Sequence, residues 1–117
     1  MTWSPVIPTG STPSGRFGHT CHVYENFRGQ KELLVFGGTD GAAVFNDVWS
    51  FNTITEKWHH HVVVPDNLMG RILHGSELVD FDLYVFGGKA GATHLNDLVI
   101  IDLRKSLYVR LLYACSL

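Results

Sequence analysis

Only two cysteines, Cys21 and Cys115, occur in the 117 residues, and they stand far apart. A scaffold stapled by disulfides needs more of them, so a reducing, cytoplasmic setting is the expectation. No apolar run approaches the ~18 residues that a membrane-spanning helix requires. The start, Met1-Thr2-Trp3-Ser4-Pro5, lacks the basic residues and apolar stretch of a secretory signal. Positive charge is also scarce: nine Lys and Arg against eleven Asp and Glu leave a formal net charge of −2. Neither nucleic acid nor an acidic membrane has an electrostatic reason to bind such a chain. Helical signal is missing too, since no segment carries a 3.6-residue apolar period.

Glycine and apolar residues are plentiful. Twelve glycines imply many turns, and 45% apolar with 17% charged residues is the balance of a folded core. Short apolar runs bounded by turn residues recur along the chain, as in Leu33-Leu34-Val35-Phe36, which is stopped by Gly37-Gly38. The fold class expected from this pattern is all-β.

The chain repeats itself. Leu34-Val35-Phe36-Gly37-Gly38 returns as Tyr84-Val85-Phe86-Gly87-Gly88, fifty positions later and without a gap. Asn46-Asp47 returns as Asn96-Asp97, Asn52 aligns with Asp102, and Trp58 aligns with Tyr108. Upstream, Arg16 and His19 align with Arg71 and His74 at a spacing of fifty-five, the difference being a longer first hairpin loop. Trp3 precedes His19 by sixteen residues, as Trp58 precedes His74. A repeat near fifty residues marks a unit that stacks on copies of itself. Four strands are expected in each unit: in the first copy a run after His19, then Leu33 to Phe36, Val48 to Phe51, and Lys57 through the histidines to Val64. Four short antiparallel strands leave two apolar faces, and stacking such sheets radially covers them. Trp58 and Tyr108 are the rings expected between neighbouring sheets, and Gly37-Gly38 and Gly87-Gly88 are expected to end their strands.

These residues resemble the kelch repeat: Arg-x-x-His, an apolar strand ending in Gly-Gly, Asn-Asp before the third strand, then Trp. The first copy carries every feature; the second has Val99, Ile101 and Tyr108 where the first has Trp49, Phe51 and Trp58. The resemblance implies two four-stranded antiparallel kelch blades, an incomplete β-propeller segment. It divides the chain into an N-terminal strand and Pro-rich loop (1–15), a first repeat (16–64), and a degenerate second repeat with a tail (65–117). Kelch propellers close with several blades, and a strand like that at Trp3 commonly completes the last of them. A fragment of a larger propeller is therefore expected, with further repeats after Leu117; open blade edges leave room for self-association instead.

By the same resemblance the function expected is a non-catalytic module binding another protein or peptide, with no cofactor. In several kelch proteins the arginine matching Arg16 and Arg71 lies near the mouth of the central channel and contacts a bound peptide. Two alternatives stand beside this reading: part of a metal-dependent enzyme on the kelch scaffold, or a truncated product without independent function. Stoichiometric iron or copper in the purified chain would favour the first.

Other side chains are weighed on the residues alone. His59 and His61 share a strand face, a geometry that can hold a metal, but no third ligand stands at a predictable distance, so no metal site is assigned. Repetition of His19 and His74 argues for hydrogen bonding inside the blade, and that of Asp47 and Asp97 for turn duty. Cys21 has no activating neighbour on its own face, which disfavours a nucleophile. The equivalent loops 39–45 and 89–95 differ, with Ala90 in place of Asp40 and His94 in place of Val44. Together with segments 11–16 and 65–71 they would form one recognition face. The candidate partner-binding residues are Arg16, Arg71, Asp40 and His94.

Overall fold

The structure is a computed structural model; it describes residues 1–61 and 68–104 in full and the backbone of 108–114. The described residues form strands β1 (Thr20–Glu25), β2 (Lys31–Phe36), β3 (Val48–Asn52) and β4 (Lys57–His61), then β5 (Gly75–Val79), β6 (Asp82–Ala90), β7 (Thr93–Asp102) and β8 (Tyr108–Ala114). They make two four-stranded sheets in simple meander order, β1-β2-β3-β4 and β5-β6-β7-β8. Every neighbouring pair is antiparallel. Helix is absent among the described residues.

Alternation along the strands decides what is buried. In the first sheet Leu34, Phe36 and Val48 turn toward the second sheet, which answers with Leu83, Val85, Val99 and Ile101; together with Leu68 these form one continuous core. Tyr24 and Leu78 pack at its margin. The sheets converge at β1 and β5, the contacting strand pair between them. Two side-chain bonds join them there: Thr20 Oγ1 with His74 Nε2 at 2.9 Å, and His22 Nε2 with Ser76 Oγ at 2.7 Å. His74 therefore bridges the sheets rather than bonding within its own, and His19 is exposed. The sister histidines part roles because the second copy's Arg71–His74 segment is wedged between the sheets, with His74 edge-on to Phe36 at 5.1 Å.

The turns obey their chemistry. Asn52 Oδ1 accepts from the amides of Ile54 and Thr55, and Asp102 Oδ1 accepts from that of Arg104. The hairpin from β1 to β2 is tied by Asn26 and the shorter one from β5 to β6 turns at Asp80, whose φ of 54° suits Asp.

Three expectations need correction. Gly87-Gly88 does not end its strand: β6 runs on to Ala90, with a register shift between Phe86 and Gly88, because Lys89 and Ala90 keep pairing with His94 and Thr93. In the first sheet β2 does stop at Phe36, and Thr39 makes only isolated bridges to Phe17 and Val44. Second, Trp58 does not fill the gap between the two sheets. It lies on the face pointing away from the second sheet, against Phe51 at 5.2 Å and Trp49 at 6.5 Å, because its register partner Phe51 points that way. Tyr108 opens β8, and its side chain lies outside the described residues. Third, the segment at Trp3 forms no strand; its neighbourhood touches the first sheet through a parallel bridge of Thr9 to Lys57. The expected continuation of the fourth strand to Val64 lies outside the described residues.

Candidate functional site

The loop end of the sheets is held by two copies of one device. Arg16 donates from Nη1 to the Gly37 carbonyl at 3.1 Å and grips the Asp47 carboxylate with both terminal nitrogens, the Nη2 bond being 3.0 Å. Arg71 repeats this with the Gly87 carbonyl at 3.1 Å and Asp97 at 2.7 and 2.9 Å. Even the Nε bonds match, to the Ser14 and Met69 carbonyls, each at 3.2 Å. The planar fork of arginine fits a carboxylate in this two-bond manner. The first clamp ties the Gly-Gly turn after β2 to Asp47, just before β3, and the second ties the Gly-Gly pair inside β6 to Asp97 inside β7 of the same sheet.

The arginines are therefore not displayed to a partner. The Arg71 side chain is 0% exposed, and that of Arg16 is almost wholly covered and packs over the Phe45 ring at 4.2 Å. Their expected role as direct contacts gives way to holding the loops in place. Likewise Asp47 and Asp97 serve as arginine partners rather than in turns. Burial pushes the Asp47 carboxyl up, but the bonds from Arg16 and from Trp49 Nε1 outweigh it and hold it below the usual carboxylate range. The Arg71 bonds do the same for Asp97, which has Val99 in place of the tryptophan donor.

Segment 70–74 threads between the two clamps. The Arg71 carbonyl accepts from Gly38 N at 2.9 Å, Ile72 exchanges both backbone bonds with Lys89, and Leu73 N donates to the Gly18 carbonyl at 3.0 Å. Gly70 lies so close to the Val44 carbonyl that a Cβ would meet it at 2.5 Å. Thus 17–18, 38–45, 70–73 and 89–94 form one linked surface.

Asp40 is exposed at its loop tip, where its Oδ1 accepts from the Ala42 and Ala43 amides at 2.9 and 2.8 Å. Those amides, with Arg16 further off, lower its pKa. It shapes the loop and leaves its second oxygen outward. His94 is exposed on the protruding hairpin of β6 and β7. Around them stand large exposed apolar side chains: Phe17, Val44, Met69 and Leu73. Residue patterns do not single these out, although aligning Gly18 with Leu73 carries a signal. Gly18 has φ 72° and Leu73 has φ 57°, so a bulky residue occupies a left-handed position where its sister copy has glycine. Backbone strain of this kind gathers at functional sites.

The histidine triplet takes another part. His59 and His61 do share a face, with their rings 4.5 Å apart, and His61 Nε2 bonds Ser50 Oγ at 2.8 Å. His60 stacks on Trp49 on the opposite face at 4.6 Å. Among the described residues no three His, Cys, Asp or Glu side chains are placed to hold a metal ion.

Burial, with His59 close by, pushes the pKa of His61 down to about 4, and burial together with the Arg71 cation does the same to His74. The unfolded chain takes up these protons near the ordinary value of 6.5, and the folded chain only near 4. Stability is thus fully present above pH 6.5 and falls as pH drops from 6.5 toward 4. Asp47 and Asp97, held below the ordinary carboxylate value of 3.8, add a further loss only under that pH. Urea midpoints measured across this range should fall before the carboxylates titrate, and His61→Gln with His74→Gln should flatten that upper limb. A flat parent profile down to pH 4 would refute this.

The family model described as the KLHDC2/KLHL20/DRC7 Kelch-repeats domain matches residues 1–113. The chain belongs to the kelch-repeat family. It is 35% identical over 103 residues to Tip elongation aberrant protein 1 of Schizosaccharomyces pombe, covering 84% of this chain and 8% of that protein. It is 31% identical over 87 residues to Host cell factor 2 of Homo sapiens, covering 74% and 11% respectively. Similarity to the Rab9 effector protein with kelch motifs of Xenopus laevis is 26% over 108 residues, covering 86% of this chain and 28% of that one. The chain therefore spans only a small part of the length of these relatives. Its two antiparallel sheets are kelch blades of a partial propeller. No described helix is long and apolar enough to cross a membrane.

Proposed function

We propose that this chain is a non-catalytic protein-interaction module, two blades of a larger kelch propeller, which binds another protein or peptide through its loop face. One observation carries the reading. Phe17, Val44, Met69 and Leu73 are exposed around Asp40 and His94 on loops that two buried arginine clamps immobilise. Apolar side chains on a rigid frame bind with little ordering cost, and a rim of charge adds selectivity. Kelch membership and a relative named as an effector protein support a protein ligand. An exposed, unpaired Cys21 accords with a reducing, cytoplasmic setting.

Leu73 gives the test. Leu73→Gly relieves a left-handed conformation that costs about 1–2 kcal/mol in a non-glycine residue, less what glycine gives back in chain entropy. The variant should be about 0.5–1 kcal/mol more stable by urea denaturation. It should also lose roughly tenfold or more in affinity for a partner identified by photo-crosslinking from position 17 or 73. Crosslinks that form equally well from Ile54, at the opposite end of the sheet, would sink the assignment of the face. Stoichiometric iron or copper in the purified chain would overturn the non-catalytic reading.

A further inference from the structure

The end of the blades opposite the loop face carries an exposed aromatic pair, built where the two blades meet. The hairpin from β1 to β2 is longer than the turn from β5 to β6, and the added length carries Phe27 across to the second blade. There its ring stacks on Phe81 at 5.0 Å, with the planes 18° apart. Phe27 still keeps 76% of its surface open to solvent, so the stack covers only part of the ring. Asn26 Oδ1 accepts from the amides of Arg28 and Gln30, and its Nδ2 donates to Glu32 at 2.6 Å, which fixes the hairpin that presents Phe27.

The aromatic pair borders a cleft of about 570 Å³, walled by Tyr24 and Glu25 from the first blade and by Leu78 and Asp80 from the second. That volume is within the ~300–1,000 Å³ of ligand pockets. Both walls belong to the joint between these two blades, so the cleft is complete within the chain. Its charge has one sign: Glu25 and Asp80 line it, and no lysine or arginine does among the described residues. Lys31 meets one Glu25 oxygen at 3.1 Å in an exposed pair. Asp80 is in no such pair among the described residues, and Arg104, whose charge reaches it, is held by Asp102 at 2.9 Å and Asp82 at 3.7 Å. Behind the cleft the Tyr24 hydroxyl donates to Glu32 at 3.2 Å; burial, aided by the Glu32 charge, pushes the Tyr24 pKa up to about 12.

We propose that this cleft is a second docking site, which takes an arginine side chain from a short extended segment of a partner protein. A guanidinium is planar and weakly hydrated, so it stacks on an open aromatic face while its nitrogens reach a carboxylate. Phe27 supplies the face, and Asp80 and Glu25 supply the carboxylates on opposite walls. An apolar neighbour of the arginine meets Leu78 and the Phe81 ring. An acidic segment is rejected, because it would bring like charge to a cleft with no lining cation among the described residues. The site is separate from the loop face, which lies at the other end of the strands, and from Ile54 in the turn between β3 and β4.

The probe is the end-blocked tripeptide Leu-Arg-Leu, titrated into the full chain labelled with nitrogen-15 and followed by its amide resonances. Shifts should concentrate at 24–27 and 78–81, and Leu-Gln-Leu, which lacks the charge, should bind roughly tenfold or more weakly. Phe27→Ala and Asp80→Asn should each weaken binding of Leu-Arg-Leu about fivefold, the scale of one cation–π contact or one exposed charge pair. Phe27→Tyr should restore it. Phe27 is exposed and asparagine tolerates the left-handed turn position of Asp80, so each variant should melt like the parent. Shifts that gather on the loop face, equal binding of Leu-Gln-Leu, or indifference to both substitutions would each overturn the proposal. So would the absence of any shift, or a dimer of the chain that Phe27→Ala dissolves, which would make a second copy the occupant. Leu73→Gly should leave the titration unchanged, and Phe27→Ala should leave crosslinking from positions 17 and 73 unchanged, so the two sites stand or fall separately.

Discussion

Arg71→Met should cost about 3 kcal/mol of folding stability, the lower end of the range for breaking one side of a buried ion pair. The lower end applies because the Asp97 side chain keeps partial exposure and can recover some hydration. The loss has three parts: Asp97 loses both charge-assisted bonds, and the Gly87 and Met69 carbonyls lose their donors. Arg71→Lys should recover little, since an ammonium cannot span the carboxylate and two carbonyls in one plane. The pair replacement Arg71→Met with Asp97→Leu should recover more than half, because no charge is then left without its partner. Urea titration monitored by tryptophan fluorescence measures all three. A loss below about 1 kcal/mol for Arg71→Met would mean that the clamp contributes no more than an ordinary surface ion pair.

Gly88→Ala should destabilise the chain by about 2–4 kcal/mol, from a left-handed conformation and forced overlap together. Gly88 has φ 98°, and a Cβ there would lie 2.8 Å from the Ile72 carbonyl oxygen and 2.9 Å from His74 Cβ. The carbonyl belongs to the segment wedged between the blades and cannot yield without disturbing the Thr20–His74 bond. Gly37→Ala should behave alike, since its Cβ would lie 2.8 Å from both the Arg71 carbonyl oxygen and His74 Cε1. The contrast is Gly91→Ala: φ is 61°, but nothing lies within 4 Å, so only the conformational cost of about 1 kcal/mol remains. Equal losses at Gly88 and Gly91 would show that close approach of the blades is not what these glycines permit.

The glycine pairs show how far the residues could be read. Their register disclosed the repeat, but the two pairs do different things: Gly37-Gly38 ends β2, and Gly87-Gly88 lies inside β6. The difference arises in the residues just C-terminal to each pair. Residues 39–45 fold on Thr39 and Asp40 side chains, whereas Lys89 and Ala90 continue the ladder toward a turn at Gly91. Local sequence allows both outcomes. The arginine clamps were hidden for another reason. Arg16 lies thirty-one positions from Asp47 and Arg71 twenty-six from Asp97, because the first hairpin is longer. A pairing whose separation varies leaves no fixed spacing to find. Of the candidate face, the unequal loops with Asp40 and His94 were legible. Segment 65–71, which holds Met69, was also read onto that face; Phe17 and Leu73, and the exposure of all three side chains, were not legible, because exposure of an apolar residue is a property of the folded surface.

The sequence by itself determined the unit: eight short strands in two meanders, their alternation, the turns that part them and the kelch resemblance. These arise from period-two patterning and turn chemistry, which act between near neighbours along the chain. Only the tertiary structure decided which face of each blade meets the other, which histidine bridges them, and that Arg16 and Arg71 are buried braces rather than displayed contacts. Those outcomes depend on charges and apolar faces brought together from distant positions, where burial sets the energy of each group.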